Sequence, residues 1–143
     1  MSGTPAGRVL GVDLGTKRVG LALSDPLRLI ASPLTTVDAG TESGLCDRLA
    51  ALCREREVSL VVIGLPVSAD GSEGPLCARA RRVGERLRAA GLATAFQDES
   101  WSSRDAEDAV RAEGGTRKGS RDRIDAMAAS LVLREFLSGA SRA

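Results

Sequence analysis

The sequence predicts an α/β fold, a mixed five-stranded sheet with helices on both faces. Two patterns carry that expectation. Residues 8 to 24, "RVLGVDLGTKRVGLALS", read as strand, turn and strand, close enough together to form a hairpin. Further along, apolar residues at helical spacing alternate with short apolar runs, as crossover units that feed parallel strands do. The length of 143 residues and the 43% apolar composition add that there is one well-buried core. A single domain over residues 1–143 follows, with 1–7 and 138–143 expected to fray as tails.

The first strand covers residues 8 to 13 and the second 18 to 24, joined by the turn Gly15-Thr16-Lys17. A short third strand is expected near Pro33 to Val37. Leu45, Leu49, Leu52 and Cys53 recur at helical spacing, and "VSLVVIGLP" is a continuous apolar run ending in Gly64 and Pro66, as a fully buried parallel strand would be. Leu76, Ala80, Val83 and Leu87 mark a second helix, "LATAFQDES" a fifth strand, and Ala106, Ala109 and Val110 a third helix. Ile124 to Leu137 form the last helix, and "EGGTRKGSR", residues 113 to 121, reads as a Gly/Ser/basic loop before it.

Absences narrow the chemistry. Without histidine or tyrosine, the chain has no Ser-His-Asp triad, no histidine acid/base, no histidine zinc site and no tyrosine nucleophile. Hydrolysis must rest on carboxylates, lysine, serine, cysteine or a bound metal. Phe96, Trp101 and Phe136 are the aromatic residues, too few for a surface that stacks several bases. Cys46, Cys53 and Cys77 are odd in number, lack C-x-x-C spacing and fall in expected helices, so they read as reduced core thiols. No apolar run reaches the ~20 residues of a bilayer span, and "MSGTPAGR" lacks the apolar core of a signal peptide, so a soluble cytoplasmic protein is expected.

Three acids then gain matching addresses. Asp13 sits inside an apolar strand, where carboxylates are seldom placed without a partner. Glu99 ends the fifth strand, with Asp98 beside it as the competing choice, and Asp125 lies in the first turns of the last helix. If the first and fifth strands run the same way and lie near each other, the three meet at one edge of the sheet. Ala126, Ala128 and Ala129 would let the helix lie close enough for Asp125 to reach inward. Clustered carboxylates repel, and a hard divalent cation, Mg²⁺ or Mn²⁺, relieves that conflict with oxygen ligands alone. Two such ions about 4 Å apart can drive in-line displacement at a phosphodiester. Asp122 competes with Asp125 but, at the start of a helix, reads as an ordinary N-cap.

Four segments, "GVDLGTKRVGLALSDP", "VVIGLPVSADGSEGPLCARA", "DESWSSRDAE" and "DRIDAMAASLVL", resemble in order and spacing the YqgF/RuvX family of RNase H-fold nucleases, described as pre-ribosomal-RNA processing enzymes and as Holliday-junction-resolvase-like proteins. The resemblance spans residues 8 to 137. It implies an RNase H-like fold, a metal-dependent nuclease, and acidic residues at Asp13, Glu99 and Asp125 that serve as catalytic residues and metal ligands. Its register favours Glu99 over Asp98, and its glycine and loop positions fall on Gly15, Thr16, Gly20, Gly64, Pro66 and Gly71. The implied substrate is structured nucleic acid, with 5′-end maturation of pre-16S ribosomal RNA ahead of cleavage of branched DNA at a Holliday junction.

One departure stands out: the family has arginine directly after the glutamate and Leu-Thr-Thr soon after it, whereas this chain has Ser100, Trp101, Ser102 and Ser103. Serine cannot supply the arginine's charge, so either Arg104 or the "TRKGSRDR" segment compensates, or phosphate contact at this spot is weaker. Net charge is only +1, but Arg117, Lys118, Arg121 and Arg123 cluster next to Asp125 and are expected, with Thr16 and Lys17, to bind the substrate backbone. Arg79, Arg81, Arg82, Arg86 and Arg88 occupy several faces of the second helix and read as a solvated surface.

Two other function classes fit parts of the pattern. "D-x-G-T-x-x-x-G" at a first hairpin also opens actin-like ATPases and sugar kinases, but those enzymes need a second, similar domain to close over the nucleotide. A non-catalytic RNA-binding ribosome-assembly factor would have no need to keep three carboxylates. Without coiled-coil heptads, the chain is expected to be a monomer or weak homodimer, with nucleic acid as its partner and no membrane association.

Overall fold

A computed structural model of the chain describes residues 7–66, 71–99 and 117–140, with side chains of the last helix from 124 to 139. Strands β1 (Arg8–Leu14), β2 (Arg18–Ser24) and β3 (Ala31–Asp38) form an antiparallel meander, followed by α1 (Glu42–Glu55), β4 (Val58–Leu65), α2 (Pro75–Ala89), β5 (Thr94–Asp98) and α3 (Arg117–Ala140). The sheet order is β3-β2-β1-β4-β5. β4 is parallel to both β1 and β5, so β1 and β5 run the same way with β4 between them.

Period-two alternation divides the apolar residues between two cores. Leu10, Val12, Leu14, Val19, Leu21, Val61 and Ile63 face α1 and α2, which contribute Leu45, Leu49, Cys53, Cys77, Ala80, Val83 and Leu87. Val9, Ala22 and Val62 face α3, which contributes Ala129, Val132 and Leu133. The mixed five-stranded sheet is thus covered on both faces, as the sequence predicts. Thr41 caps α1, its hydroxyl accepting from the Gly44 N–H at 3.0 Å. The three cysteines are buried, reduced and helical.

The differences from the sequence reading are at element ends. β3 runs from Ala31 to Asp38, longer than 33–37, and takes in Pro33; proline is tolerated because β3 is a sheet edge and the register with β2 shifts at that point. α3 starts at Arg117, so the segment read as a loop is helical from that residue on. Arg, Lys and Arg are good helix formers, and the lone Gly119 costs only about 1 kcal/mol within a long helix. Arg117, Lys118, Arg121 and Arg123 therefore sit on helical backbone, Asp122 lies five residues past the helix start and is no N-cap, and Asp125 lies in the third turn. Residues 138–140 belong to the helix. The expected helix around Ala106 to Val110 lies outside the described residues, as do the tails 1–6 and 141–143. Among the described residues no helix is long and apolar enough to cross a membrane.

At the end of the sheet where β2 turns into β3, Asp25 accepts from the N–H groups of Leu29 and Ile30 at 2.8 and 2.7 Å and holds an open turn. A groove of about 420 Å³ lined by Arg28, Leu29, Ile30 and Leu137 lies there, at the opposite end of β1 from Asp13.

Candidate active site

Asp13 is half-buried near the end of β1 and shares its face with Val9 and Gly11, the face that α3 covers. The register places it opposite Gly20 of β2. On the other side Val12 pairs with Ile63, which sets Gly64 of β4 beside it. Across three strands the row therefore reads glycine, aspartate, glycine.

The missing side chains at those glycines are what admit the other two acids. A Cβ on Gly20 would overlap the backbone carbonyl of Asp125, so α3 lies directly on β2 at that point. A Cβ on Gly64 would stand 2.8 Å from Oε2 and 3.0 Å from Cγ of Glu99, so the glutamate side chain lies over that glycine. Small buried residues on α3, Ala126, Ala128 and Ala129, complete the close approach.

Glu99 extends the β5 ladder by one residue, its N–H donating to the Leu65 carbonyl at 2.9 Å. It thereby shares parity with Ala95, which packs in the α3-side core, whereas Asp98 shares parity with Phe96 in the other core and is exposed near Arg81. Strand alternation thus puts Glu99 on the α3 face with Asp13 and Asp98 on the opposite face.

Electrostatics bind Asp13 and Glu99 into a pair. Burial pushes the Asp13 carboxyl above the ordinary aspartate range, a hydrogen bond with Glu99 pulls it back, and the charge of Asp125 pushes it up again. Burial, the Asp13 charge and the same hydrogen bond push Glu99 up to about 9. A hydrogen bond between two carboxyls needs a proton, so Asp13 and Glu99 share one between them. Asp125 is turned instead to Arg18, Nε to Oδ2 at 3.1 Å. Among the described residues no three His, Cys, Asp or Glu side chains stand ready as a metal cage. Two of the three predicted acids are in contact, and the third is close enough for its charge to be felt.

This proton has a measurable consequence. Unfolded glutamate titrates near about 4.3, so the metal-free folded protein retains a proton that the unfolded chain releases. The associated stability is complete below that value and is lost as pH rises towards about 9. Thermal unfolding in EDTA should show a midpoint that declines across this range, and Glu99→Gln should flatten the decline. The same slope in Glu99→Gln would place the proton on another group.

The remaining predicted residues divide. Thr16 and Lys17 are exposed in the β1–β2 turn beside Asp13, and the Lys17 carbonyl accepts from the Ala39 N–H at 2.9 Å. Arg104 and Ser100 to Ser103 lie outside the described residues, and the side chains of Arg117, Lys118, Arg121 and Arg123 lie outside them too. The arginines on α2 are largely ion-paired: Arg81 with Glu73 at 2.6 Å and Arg82 with Glu42 at 2.7 Å. Arg79 differs, because its Nη1 donates to the Gly15 carbonyl at 3.1 Å and so braces the turn after Asp13. Arg18 beside Asp125 was not singled out in the sequence, and Arg79 was read there as part of a solvated surface. Parity was an available signal for Arg18, two residues before Gly20 on the same face.

Comparison with known proteins gives a consistent assignment. Residues 7–139 match the family model described as RuvX, Holliday junction resolvase. A protein of Chlorobium luteolum named "Putative pre-16S rRNA nuclease" is 44% identical over 137 residues, covering 93% of this chain and 95% of its own length. The RuvC structure from Thermus thermophilus superimposes with a TM-score of 0.60 at 14% identity, over 94% of this chain and 96% of that one. The Fowlpox virus resolvase in complex with Holliday junction DNA gives 0.58 at 9% identity, over 92% and 97%. At such identities the two structures speak to the fold.

Proposed function

The chain belongs to the RuvX family of Holliday junction resolvases, which makes it a nuclease, and from that premise we propose that it matures the 5′ end of pre-16S ribosomal RNA with a divalent cation held at Asp13, Glu99 and Asp125. The observation that carries this reading is the hydrogen-bonded Asp13–Glu99 pair, with the glutamate side chain lying over Gly64. Two carboxyls held this close repel once both ionise, and a divalent cation between them would relieve that repulsion. Resolvase-type nucleases use divalent metal ions, and an all-oxygen donor set in a chain without histidine suits Mg²⁺ or Mn²⁺.

Bound divalent ions supply Lewis-acid activation of water and stabilise charge on the leaving oxygen. The chain's own residues do the rest. Asp13 and Glu99 release their shared proton to solvent, and the Gly20 and Gly64 rows fix where the carboxylates point. Thr16, Lys17 and Arg104, with Arg117, Lys118, Arg121 and Arg123 on α3, hold the nucleic-acid backbone. Water adds across one phosphorus–oxygen bond, leaving a phosphate monoester on one product end and a hydroxyl on the other.

RNA stands first because the 44%-identical relative carries the pre-16S rRNA name over nearly its whole length. Junction resolution is the second reading, supported by the family description and by the fold shared with resolvases. It requires paired incisions related by a two-fold axis, hence a dimer. A monomer or weak homodimer in the cytoplasm, where ribosomal precursors are found, suffices for trimming one RNA end. Cleavage of a 16S precursor RNA and of a matched four-way DNA junction, with Mg²⁺ or Mn²⁺ and mapped product ends, tests the order. Faster cutting of the RNA is expected; symmetric paired incision of the junction within one binding event would reverse it.

The basic start of α3 gives a separate prediction. Replacing Arg117, Lys118 and Arg121 together by alanine should weaken RNA binding without sequence preference. The slope of log affinity against log salt should fall by roughly 2, at about 0.7 for each single-strand phosphate that is no longer neutralised. An unchanged slope would move the binding surface elsewhere.

A further inference from the structure

We propose that Arg18 is a built-in counter-cation that competes with the divalent ion for the Asp125 carboxylate, so that loading the site transfers Asp125 from arginine to metal. The inference rests on the metal-site reading above and extends it to a residue outside the acidic set.

The geometry begins with register. Arg18, Gly20 and Ala22 share the α3 face of β2, and Asp13 lies opposite Gly20 on β1. Because Gly20 has no side chain, the α3 backbone rests on the strand at Asp125, which leaves that carboxylate a choice of neighbours within one short stretch of sheet. Towards the centre of the sheet are Asp13 and Glu99. Towards the hairpin turn is Arg18. Asp125 takes the arginine, Nε to Oδ2 at 3.1 Å, while the other two acids bond to each other. The direction is what Coulomb's law requires: without a cation between them, a third carboxylate is repelled by the first, and a guanidinium nearby is its best partner.

Exchange at this position is cheap. Both partners of the pair are 32% exposed, so breaking it strands neither charge in a dry core. A cation between Asp13 and Glu99 would reverse the sign of the field that Asp125 feels from them. Arg18 would then stand one residue past Lys17 and beside the loaded site, positioned for a phosphate oxygen. The arginine offsets the charge of Asp125, and it sets the cation concentration at which the three acids come together. It is a positioning residue, acting through Asp125.

The test is Mn²⁺ binding to the nucleic-acid-free protein, measured as free Mn²⁺ by electron paramagnetic resonance, for wild type, Arg18→Gln, Asp125→Asn and the double variant. Removing the competitor should tighten Mn²⁺ binding by about fivefold, the scale of a half-exposed ion pair. Arg18→Lys should stay close to wild type, and Arg18→Gln should not tighten binding when Asp125 is already asparagine. Equal or weaker Mn²⁺ binding in a folded Arg18→Gln protein overturns the proposal, as does a gain that persists in the Asp125→Asn background, which would be a general field effect. Failure of the underlying reading looks different: Mn²⁺ binding would be the same in wild type and Asp13→Asn, whatever occupies position 18.

Discussion

Asp13→Asn is expected to fold normally and to lose divalent-dependent cleavage by at least about a thousandfold, the rate equivalent of the several kcal/mol of transition-state stabilisation that a metal site supplies. The substitution keeps the shape of the side chain and its capacity to hydrogen-bond Glu99. It removes the charge that the cation needs. Without metal, the variant should be no less stable than wild type at neutral pH, because a charge that repels Asp125 has gone. Loss of activity together with retained or increased stability separates a ligand role from a structural one. If Asp13 only hydrogen-bonded the following turn, the ranking would be reversed, with reduced stability and intact cleavage. Cleavage assays and thermal unfolding of the same preparation give both readings. Glu99→Gln should behave alike, whereas Asp98→Asn, on the opposite parity of β5, should leave cleavage near wild type.

Gly20→Ala and Gly64→Ala should both lose activity but differ in what they cost in stability. In a strand interior, alanine is ordinarily favoured over glycine by roughly 0.5–1 kcal/mol. At Gly20 the new methyl overlaps the backbone of α3 at Asp125, and a helix cannot rotate aside as a side chain can. Overpacking of about 3 kcal/mol or more is expected, with α3 displaced and activity lost as a consequence. At Gly64 the methyl meets the Glu99 side chain, 2.8 Å from Oε2 and 3.0 Å from Cγ, and a side chain can swing away. Gly64→Ala should therefore cost under about 1.5 kcal/mol yet reduce cleavage at least about tenfold, because the carboxylate no longer lies over the sheet beside Asp13. Denaturant unfolding paired with cleavage rates distinguishes the two. Full activity in Gly64→Ala would show that Glu99 does not need its position.

The path from sequence to site was legible where one residue's pattern sufficed. Hairpin, crossover helices and buried strands came from periodicity, because each core is built from one face of each element. Asp13 was conspicuous because an acid inside an apolar strand breaks that pattern. The glycine row was less visible: Gly20 and Gly64 matter through what lies above them, and no local spacing reveals that α3 backbone or a glutamate side chain fills the gap. The same holds for Arg18, whose role depends on α3 descending at Gly20. The start of α3 was misplaced for a local reason, since Gly119 and Ser120 suggest a loop while the flanking basic residues sustain a helix once 24 residues of it pack on the sheet. Asp98 and Glu99 were distinguishable in principle, by counting parity from Phe96 in a strand whose core face was not yet known.

The central claim is that Asp13 and Glu99, joined by Asp125, hold the divalent ion that the nuclease uses. Its most direct test is anomalous diffraction from crystals of the wild-type protein soaked in Mn²⁺. A manganese peak within about 2.0–2.3 Å of carboxylate oxygens from Asp13 and Glu99 is the predicted result, with Asp125 turned from Arg18 towards the ion. A manganese peak elsewhere on the chain, or an Asp13–Glu99 hydrogen bond unchanged in saturating Mn²⁺, would contradict it.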